Sequence, residues 1–518
     1  MRSWPISRFA LAAVLLGVAV TALYTTRLGF APIYLIHDEV HFSLQAASIA
    51  KTGRDLNGRL LPVYFSEPQF TAGRDPMLVY ATAMALQVLP LSESSVRIST
   101  ALVGVLNIVL VVWLAHLVFG DVRLSLAAGV MLALSPGHFI HSRMALSVLY
   151  PMPFVIAWLI ALRRMGDEAN RRLLFAGGAV LGLGVYGYLA SMVMMPVYLL
   201  LTALLLAERR QFKAIGWTAA GFAIVLIPIV LWTIVHPERY SDLLRAYRPG
   251  EVTGESTLVD ASKVVPSGSW RQQLSTWWYY FDPEYLFMAG DSSVTNSTRQ
   301  AGLFPMALVV LIPIGIWRLA RSPGFERVVW IGLITAPLAV VLTGDLSLHR
   351  YRGLFVLPFG VIVATYGVAM MWASPRRVWR VAATALLLTI PVQFAGFYRD
   401  YMGPYRDRSS LRYGGNLRDA LVAVMERPPA SGRAYLSRAI PHAGAYWRFY
   451  AQTVGGAPAE PAPIDPASAV TESFAAGSKV IAAVGEPLAA VLDRTGWRRG
   501  MVATEPDGSP SFVVFERP

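Results

Sequence analysis

The sequence predicts a polytopic α-helical membrane protein of about eleven spans, with a small C-terminal α/β domain outside the membrane. Three observations predict it. The 518 residues are 55% hydrophobic and only 15% charged, where a soluble globular chain carries about 25% charge. Long apolar runs recur through residue 400, each near the ~20 residues that a membrane helix needs. After residue 400 the runs give way to short strand and helix patterns.

The chain opens MRSWPISR and continues FALAAVLLGVAVTALY. A basic start before an apolar core is the pattern of a signal peptide, and Val20-Thr21-Ala22 would pass as a cleavage site. Because many apolar runs follow, we read it as an uncleaved first helix with a cytoplasmic N-terminus. Apolar segments then cover roughly 9–24, 96–118, 124–140, 152–162, 173–190, 192–207, 214–235, 305–317, 327–343, 353–372 and 379–397. The loops LRRMGDEANRR (162–172), ERRQFK (208–213), RLARSPGFER (318–327) and ASPRRVWR (373–380) are basic. With eleven spans all four fall on the side of the N-terminus, as the positive-inside rule requires. The piece PMLVYATAMALQVLP (76–90) is short and bracketed by Pro76 and Pro90. Counted as a span, it would turn every later basic loop outward, so we read it as a helix in the outer interface.

The formal charge of +13 would point to nucleic acid in a soluble protein. Here the arginines lie between apolar segments, where they set topology, and nucleic acid is not an expected partner. There is no cysteine, which excludes disulfides, thiolate metal sites and a thiol nucleophile. The outer elements are the loop 25–95, the junction 135–151, the loop 236–304 and the tail from about 398. In the tail, LRDALVAVMERPP and EPLAAVLDRTGW read as helices, and RAYLSRA, SKVIAAVG and SFVVFERP as strands. PAEPAPIDPAS (458–468) reads as a Pro/Ala-rich loop.

The densest cluster of titratable groups is YLIHDEVHF (34–42), with Asp38 and Glu39 between His37 and His41. Adjacent helical residues differ by about 100°, so the two acids do not share a face. One is free to face a cavity while the other caps or braces a helix. The plain alternative is a solvated turn with Asp38 as an N-cap. Two histidines beside two acids also raise metal binding, but H-D-E-V-H is not the helical H-E-x-x-H spacing. Arg54, Arg59 and Arg74 add positive charge to the same loop. His138, His141 and Arg143 sit in the second outer element, and Asp282, Glu284, Asp291 and Arg299 in the aromatic-rich third. TGDLSLHRYRGLF contributes His349, Arg350 and Arg352 between two spans, where interfacial snorkelling is the plain reading of the arginines. A carboxylate, several arginines and aromatic side chains at a bilayer surface suit an anionic lipid-linked donor. Arginine binds phosphate oxygens bidentately. A carboxylate can deprotonate an attacking hydroxyl, while the phosphate leaves with charge stabilisation.

The chain resembles the GT-C superfamily of polytopic glycosyltransferases, nearest the bacterial members of the protein O-mannosyltransferase and lipid A aminoarabinose transferase branch. The residues that carry the likeness are HDEVHFSLQAASIAKTGRDLNGRLLPVYF after the first span, RDPMLVY, LSPGHFIHSRMA, FDPEYLFMAGD and HRYRGLFVLPF, in that order, over about residues 1–400. The resemblance implies an inverting transfer from a polyprenyl-phosphate sugar to an acceptor hydroxyl on the outer face of the plasma membrane. It places the base at Asp38 with Glu39 in support. Arg54, Arg74, Arg143, Arg350 and Arg352 are the candidates for donor phosphate. His37, His41, Tyr150, Asp282, Glu284, Asp291 and His349 are the candidates for substrate contact. Relatives often carry a second acid where this chain has Tyr150, in SVLYPMPF, so a metal-independent scheme is expected and no cofactor is assigned. Likewise Asp75 stands where a basic residue often precedes the juxtamembrane proline. The acceptor class stays open among lipid, polysaccharide and protein. The expected division is a transmembrane glycosyltransferase domain over 1–400 and a soluble outer domain over 401–518. Two other classes remain: a polyprenyl-linked or small-molecule transporter or flippase, and a non-catalytic envelope scaffold. A carrier would place charges and broken helices at the membrane midplane, and the inner parts of these spans hold few charges.

Overall fold

A computed structural model describes residues 6–65, 75–165, 170–237, 270–343, 350–429, 433–455 and 459–518. The chain divides into two compact units. The first is Met1–Thr26, Pro62–Leu78 and Thr100–Tyr398; the second is Arg27–Leu61, Val79–Ser99 and Arg399–Pro518.

Among the described residues, six helices are long and apolar enough to cross a membrane: Arg8–Thr25, Glu93–Phe119, Ser147–Met165, Ser191–Glu208, Phe212–Val235 and Arg377–Tyr401. A seventh span results if Val122–Ala133 and Pro136–Ser142, bent by 62°, are one. Several of the eleven expected segments appear as shorter pieces. The run 327–343 is split into Phe325–Thr335 and Leu338–Thr343 around Pro337, which has no N–H to give and disfavours helix at the residue before it. Pro136 starts the second half of the bent pair in the same way. The short helix α3 (Pro76–Leu86) has 11 residues, about 16 Å of rise. That falls short of a ~30 Å hydrocarbon core.

Within the first unit, glycines let helix backbones touch. A Cβ built on Gly221 would lie 2.0 Å from Phe175 O, and one on Gly178 would lie 1.9 Å from Thr218 O. The helices Arg171–Gly184 and Phe212–Val235 therefore pack through reciprocal small residues, as membrane helices do.

The second unit holds a five-stranded sheet in the order β2-β1-β3-β5-β4. Its strands are β1 (Ala434–Ser437), β2 (Ala462–Ile464), β3 (Lys479–Ala483), β4 (Arg498–Thr504) and β5 (Pro510–Glu516). β1 runs parallel to β2 and β3, whereas β5 is antiparallel to both β3 and β4. Val480, Leu488, Leu492, Trp497, Val513 and Phe515 are buried in one cluster beneath it. The β4–β5 turn contains Asp507-Gly508, and Gly508 supplies the φ of +84° that the turn demands. The helices read in the tail appear as Leu417–Glu426 and Pro487–Arg494. Within 458–468, β2 corrects the expected loop. Pro463 is tolerated there because β2 is an edge strand, whose outer donors have no ladder partner. The strand β4 and the helix Ala443–Val454 were not anticipated.

Candidate active site

The acid pair lies at the start of helix α2 (His37–Thr52). Ile36 is the N-cap, so Asp38 is inside the first turn and not the cap residue considered from sequence. Glu39 takes the capping part, accepting from the Ile36 N–H at 3.1 Å. The Gly53 residue ends α2 in a left-handed conformation, φ +68°.

The two acids part company as the helical spacing requires. The Glu39 side chain is fully enclosed, and Arg97 Nε donates to its Oε1 at 2.9 Å. Arg97 Nη2 donates to Glu39 Oε2 at 3.1 Å and to Tyr34 O at 2.6 Å. Its Nη1 donates to Leu28 O at 3.0 Å and Pro32 O at 2.8 Å. All five guanidinium donors are thus engaged. One residue near the start of helix α4 (Glu93–Phe119) ties Leu28, Pro32, Tyr34 and Glu39 together. Asp38, by contrast, keeps 32% of its side chain exposed, with His37 Nε2 at 3.8 Å. It stands in the first turn of a helix, where the macrodipole favours negative charge.

The C-terminal chain of this unit braces the same loop. Tyr446 donates to Leu35 O at 2.9 Å, and Tyr34 donates to Glu505 at 3.1 Å. Tyr450 donates to Glu93 at 2.7 Å, and Arg418 lies 3.5 Å from that carboxylate. Burial, then the charges of Glu39, Asp38 and Glu93, push the Tyr446 hydroxyl well above the usual tyrosine range. Burial, then Glu505, does the same to Tyr34. Both therefore remain neutral donors. His442, in a left-handed conformation (φ +56°), caps the helix Ala443–Val454. Its ring stacks on His37 with centroids 4.6 Å apart, and its Nδ1 lies 3.4 Å from His41 Nε2. Among the described residues no group of three or more His, Asp or Glu side chains is arranged to hold a metal ion.

Of the expected site residues, His37, Asp38, Glu39 and His41 are gathered on α2. Arg54 lies in the turn beyond, where its Nη1 donates to Gly58 O at 2.8 Å. The first unit holds the other described ones. Arg143 is enclosed and donates to Tyr24 O at 2.8 Å. Tyr150 is buried with its hydroxyl 3.5 Å from Thr100 Oγ1. Arg350 lies over Tyr279, with Cζ 3.3 Å from the ring centre, and 3.4 Å from Asp282. Glu284 pairs with Arg299 at 3.1 Å, Asp291 accepts from Ser293 N at 2.8 Å, and Arg352 is half-buried. Arg74 and His349 lie outside the described residues. Sequence reading missed Arg97, His442 and Tyr446; Asp75, noted there as a departure from the family pattern, accepts from Ser147 Oγ at 2.7 Å. The one local signal for Arg97 was a charge at the start of an apolar run, SSVRIST.

The family model for dolichyl-phosphate-mannose-protein mannosyltransferase matches residues 71–232. Among solved structures, ArnT from Cupriavidus metallidurans in the apo state matches with a TM-score of 0.61 at 14% identity, over 98% of each chain. The same protein bound to undecaprenyl phosphate matches with a TM-score of 0.58 at 14% identity, again over 98% of each chain. The Archaeoglobus fulgidus oligosaccharyltransferase matches with a TM-score of 0.48 at 13% identity, over 96% of this chain and 74% of that one. No curated protein matches the chain in sequence. These relatives are GT-C glycosyltransferases. At such identities the structural likeness shows the fold.

Proposed function

We propose that this chain, similar in fold to the GT-C glycosyltransferases, moves a sugar with inversion from a polyprenyl-phosphate donor to an acceptor hydroxyl at the outer face of the membrane. Asp38 is the general base. The observation that carries this reading is the divided fate of the acid pair: Glu39 is enclosed on Arg97 while Asp38, next to it, stays accessible. As the acceptor oxygen bonds to the anomeric carbon, Asp38 takes its proton. The bond from that carbon to the phosphate oxygen breaks, and the electron pair leaves with the phosphate. The complex of ArnT with undecaprenyl phosphate supports a polyprenyl phosphate as the lipid.

The donor phosphate falls to arginines among Arg54, Arg74, Arg143, Arg350 and Arg352. Arg350 is the leading candidate, since its Nε has no hydrogen-bond partner among the described residues. His37, His41, Tyr150, Asp282, Glu284, Asp291 and His349 remain the candidates for substrate contact. Residues 1–400 form the transmembrane part and 401–518 the outer domain, in the inner (plasma) membrane with the N-terminus cytoplasmic. The acceptor is a lipid, polysaccharide or protein.

The test uses the full chain in lipid nanodiscs with a panel of undecaprenyl-phosphate-linked hexoses and pentoses. A membrane extract supplies the acceptor, and mass spectrometry reads freed undecaprenyl phosphate. Asp38→Asn lowers release by about a hundredfold or more, the range of a positioned general base. Unchanged release by a folded Asp38→Asn protein, or no release by the wild type from any donor, overturns the reading.

A further inference from the structure

Three imidazoles meet beside Asp38, and one of them comes from the C-terminal chain. The His37 and His442 rings are parallel within 7°, with centroids 4.6 Å apart. The His41 ring meets His442 edge-on at 84°, with Nε2 3.4 Å from His442 Nδ1. His37 Nε2 is 3.8 Å from Asp38 Oδ1. His37 is 48% exposed in its side chain, whereas His41 is buried. The series therefore runs from a closed interior to solvent, past the carboxylate.

We propose that His442 is a positioning residue for proton release: it holds and electrostatically tunes His37, which carries the acceptor's proton from Asp38 to solvent. The inference rests on the reading of Asp38 as base. Each turnover leaves one proton on Asp38, which must depart before the next acceptor hydroxyl can be deprotonated. Two protonated rings at that distance repel. The stacked pair therefore suits one proton at a time. The other groups around it are already engaged: Glu39 with Arg97, Glu93 with Arg418 and Tyr450, and the Tyr446 hydroxyl with Leu35 O.

The experiment measures release of undecaprenyl phosphate by the wild type, Asp38→Asn, His37→Gln and His442→Phe proteins, with and without added imidazole buffer. Phe keeps a flat ring for stacking and removes the titratable nitrogens. In His442→Phe and His37→Gln, kcat falls by about tenfold or more, short of the hundredfold floor for the base itself. KM for the donor is unchanged, and added imidazole restores turnover. Loss without imidazole rescue in both folded variants assigns the cluster a packing role and overturns the relay. So does wild-type kcat across the pH profile. Wild-type release by Asp38→Asn overturns the base, and the relay falls with it. Loss in Asp38→Asn alone overturns only the relay.

Discussion

Arg97 grips Glu39 through two hydrogen bonds, of 2.9 and 3.1 Å, and neither side chain has any exposed surface. The same guanidinium collects the carbonyls of Leu28, Pro32 and Tyr34. The path of the loop into α2, and with it the position of Asp38, rests on this ion pair together with the bonds from Tyr446 to Leu35 O and from Arg406 to Phe30 O.

Breaking that pair from either side leaves a buried charge without its counterion, which costs about 3–5 kcal/mol. Arg97→Met and Glu39→Leu are each expected to lower the thermal unfolding midpoint of the purified protein sharply. The double variant is expected to be more stable than the sum of the two losses predicts, because it buries no lone charge. It does not return to wild type, since three carbonyls still lack their donor. Additive losses in the double-mutant cycle would show that the pair contributes no coupling.

How far this arrangement was legible in the sequence differs residue by residue. The 100° offset of helical neighbours already separated Asp38 from Glu39, and the structure assigns the bracing part to Glu39. The partner was not legible. Arg97 lies 58 residues away in sequence, and no local period links the two. His442 sits in RAIPHAGAYW, where a left-handed cap before a helix gives no apolar rhythm to read. The C-terminal strands β1, β3 and β5 announced themselves through short β-branched and aromatic runs. β2 did not, because Pro463 and the prolines around it mark a loop everywhere except at a sheet edge. The eleven-segment count came from apolar runs, and composition alone does not tell an unbroken run from one interrupted at Pro136 or Pro337.

Helix packing in the first unit offers a second prediction. Gly221→Ala would place a methyl carbon 2.0 Å from Phe175 O. That neighbour is backbone and cannot rotate away, so the helices must separate. Overpacking of this kind costs about 1–3 kcal/mol. Gly216→Ala, on the same helix, has nothing within 4 Å of the added carbon and is expected to be neutral or mildly stabilising. Equal unfolding midpoints for the two variants in one detergent would contradict the close approach.

Acid should loosen the C-terminal sheet. Hydrogen bonds from Arg499 hold the Asp493 carboxyl below its ordinary range, and those from Ser509 do the same for Asp507. A folded pKa below the unfolded one means stability that is present above the unfolded value and is lost as pH falls through the folded value. Burial pushes Glu486 the other way, so its share acts in the opposite sense. Hydrogen-exchange protection of peptides covering 487–516 in the full-length protein, corrected for intrinsic rates, should hold from neutral pH down to about pH 4. Below that it should fall. Asp493→Asn should flatten the dependence. An unchanged profile in that variant would assign the acid response to other groups.

The last prediction concerns Arg350. Its guanidinium lies 3.3 Å above the Tyr279 ring and 4.9 Å from the Tyr285 ring, and Tyr285 donates back to Arg350 O at 3.2 Å. The two aromatic rings hold the guanidinium in place, and Asp282 accepts from its Nη2 at 3.4 Å. A planar cation held in that way is preorganised for a phosphate. Lysine keeps the charge but has neither the plane to stack nor the fork to bind two oxygens. If Arg350 holds donor phosphate, Arg350→Lys weakens binding of undecaprenyl phosphate by about tenfold, the value of one charge-assisted hydrogen bond. Tyr279→Leu weakens it by a smaller factor through loss of the stack. Arg350→Lys then costs less in the Tyr279→Leu background than in the wild type, because the plane is no longer held. Native mass spectrometry of the full chain titrated with undecaprenyl phosphate measures all four affinities. Equal affinity for the wild type and a folded Arg350→Lys protein would assign the stack to the local packing of its own loop and remove Arg350 from the donor site.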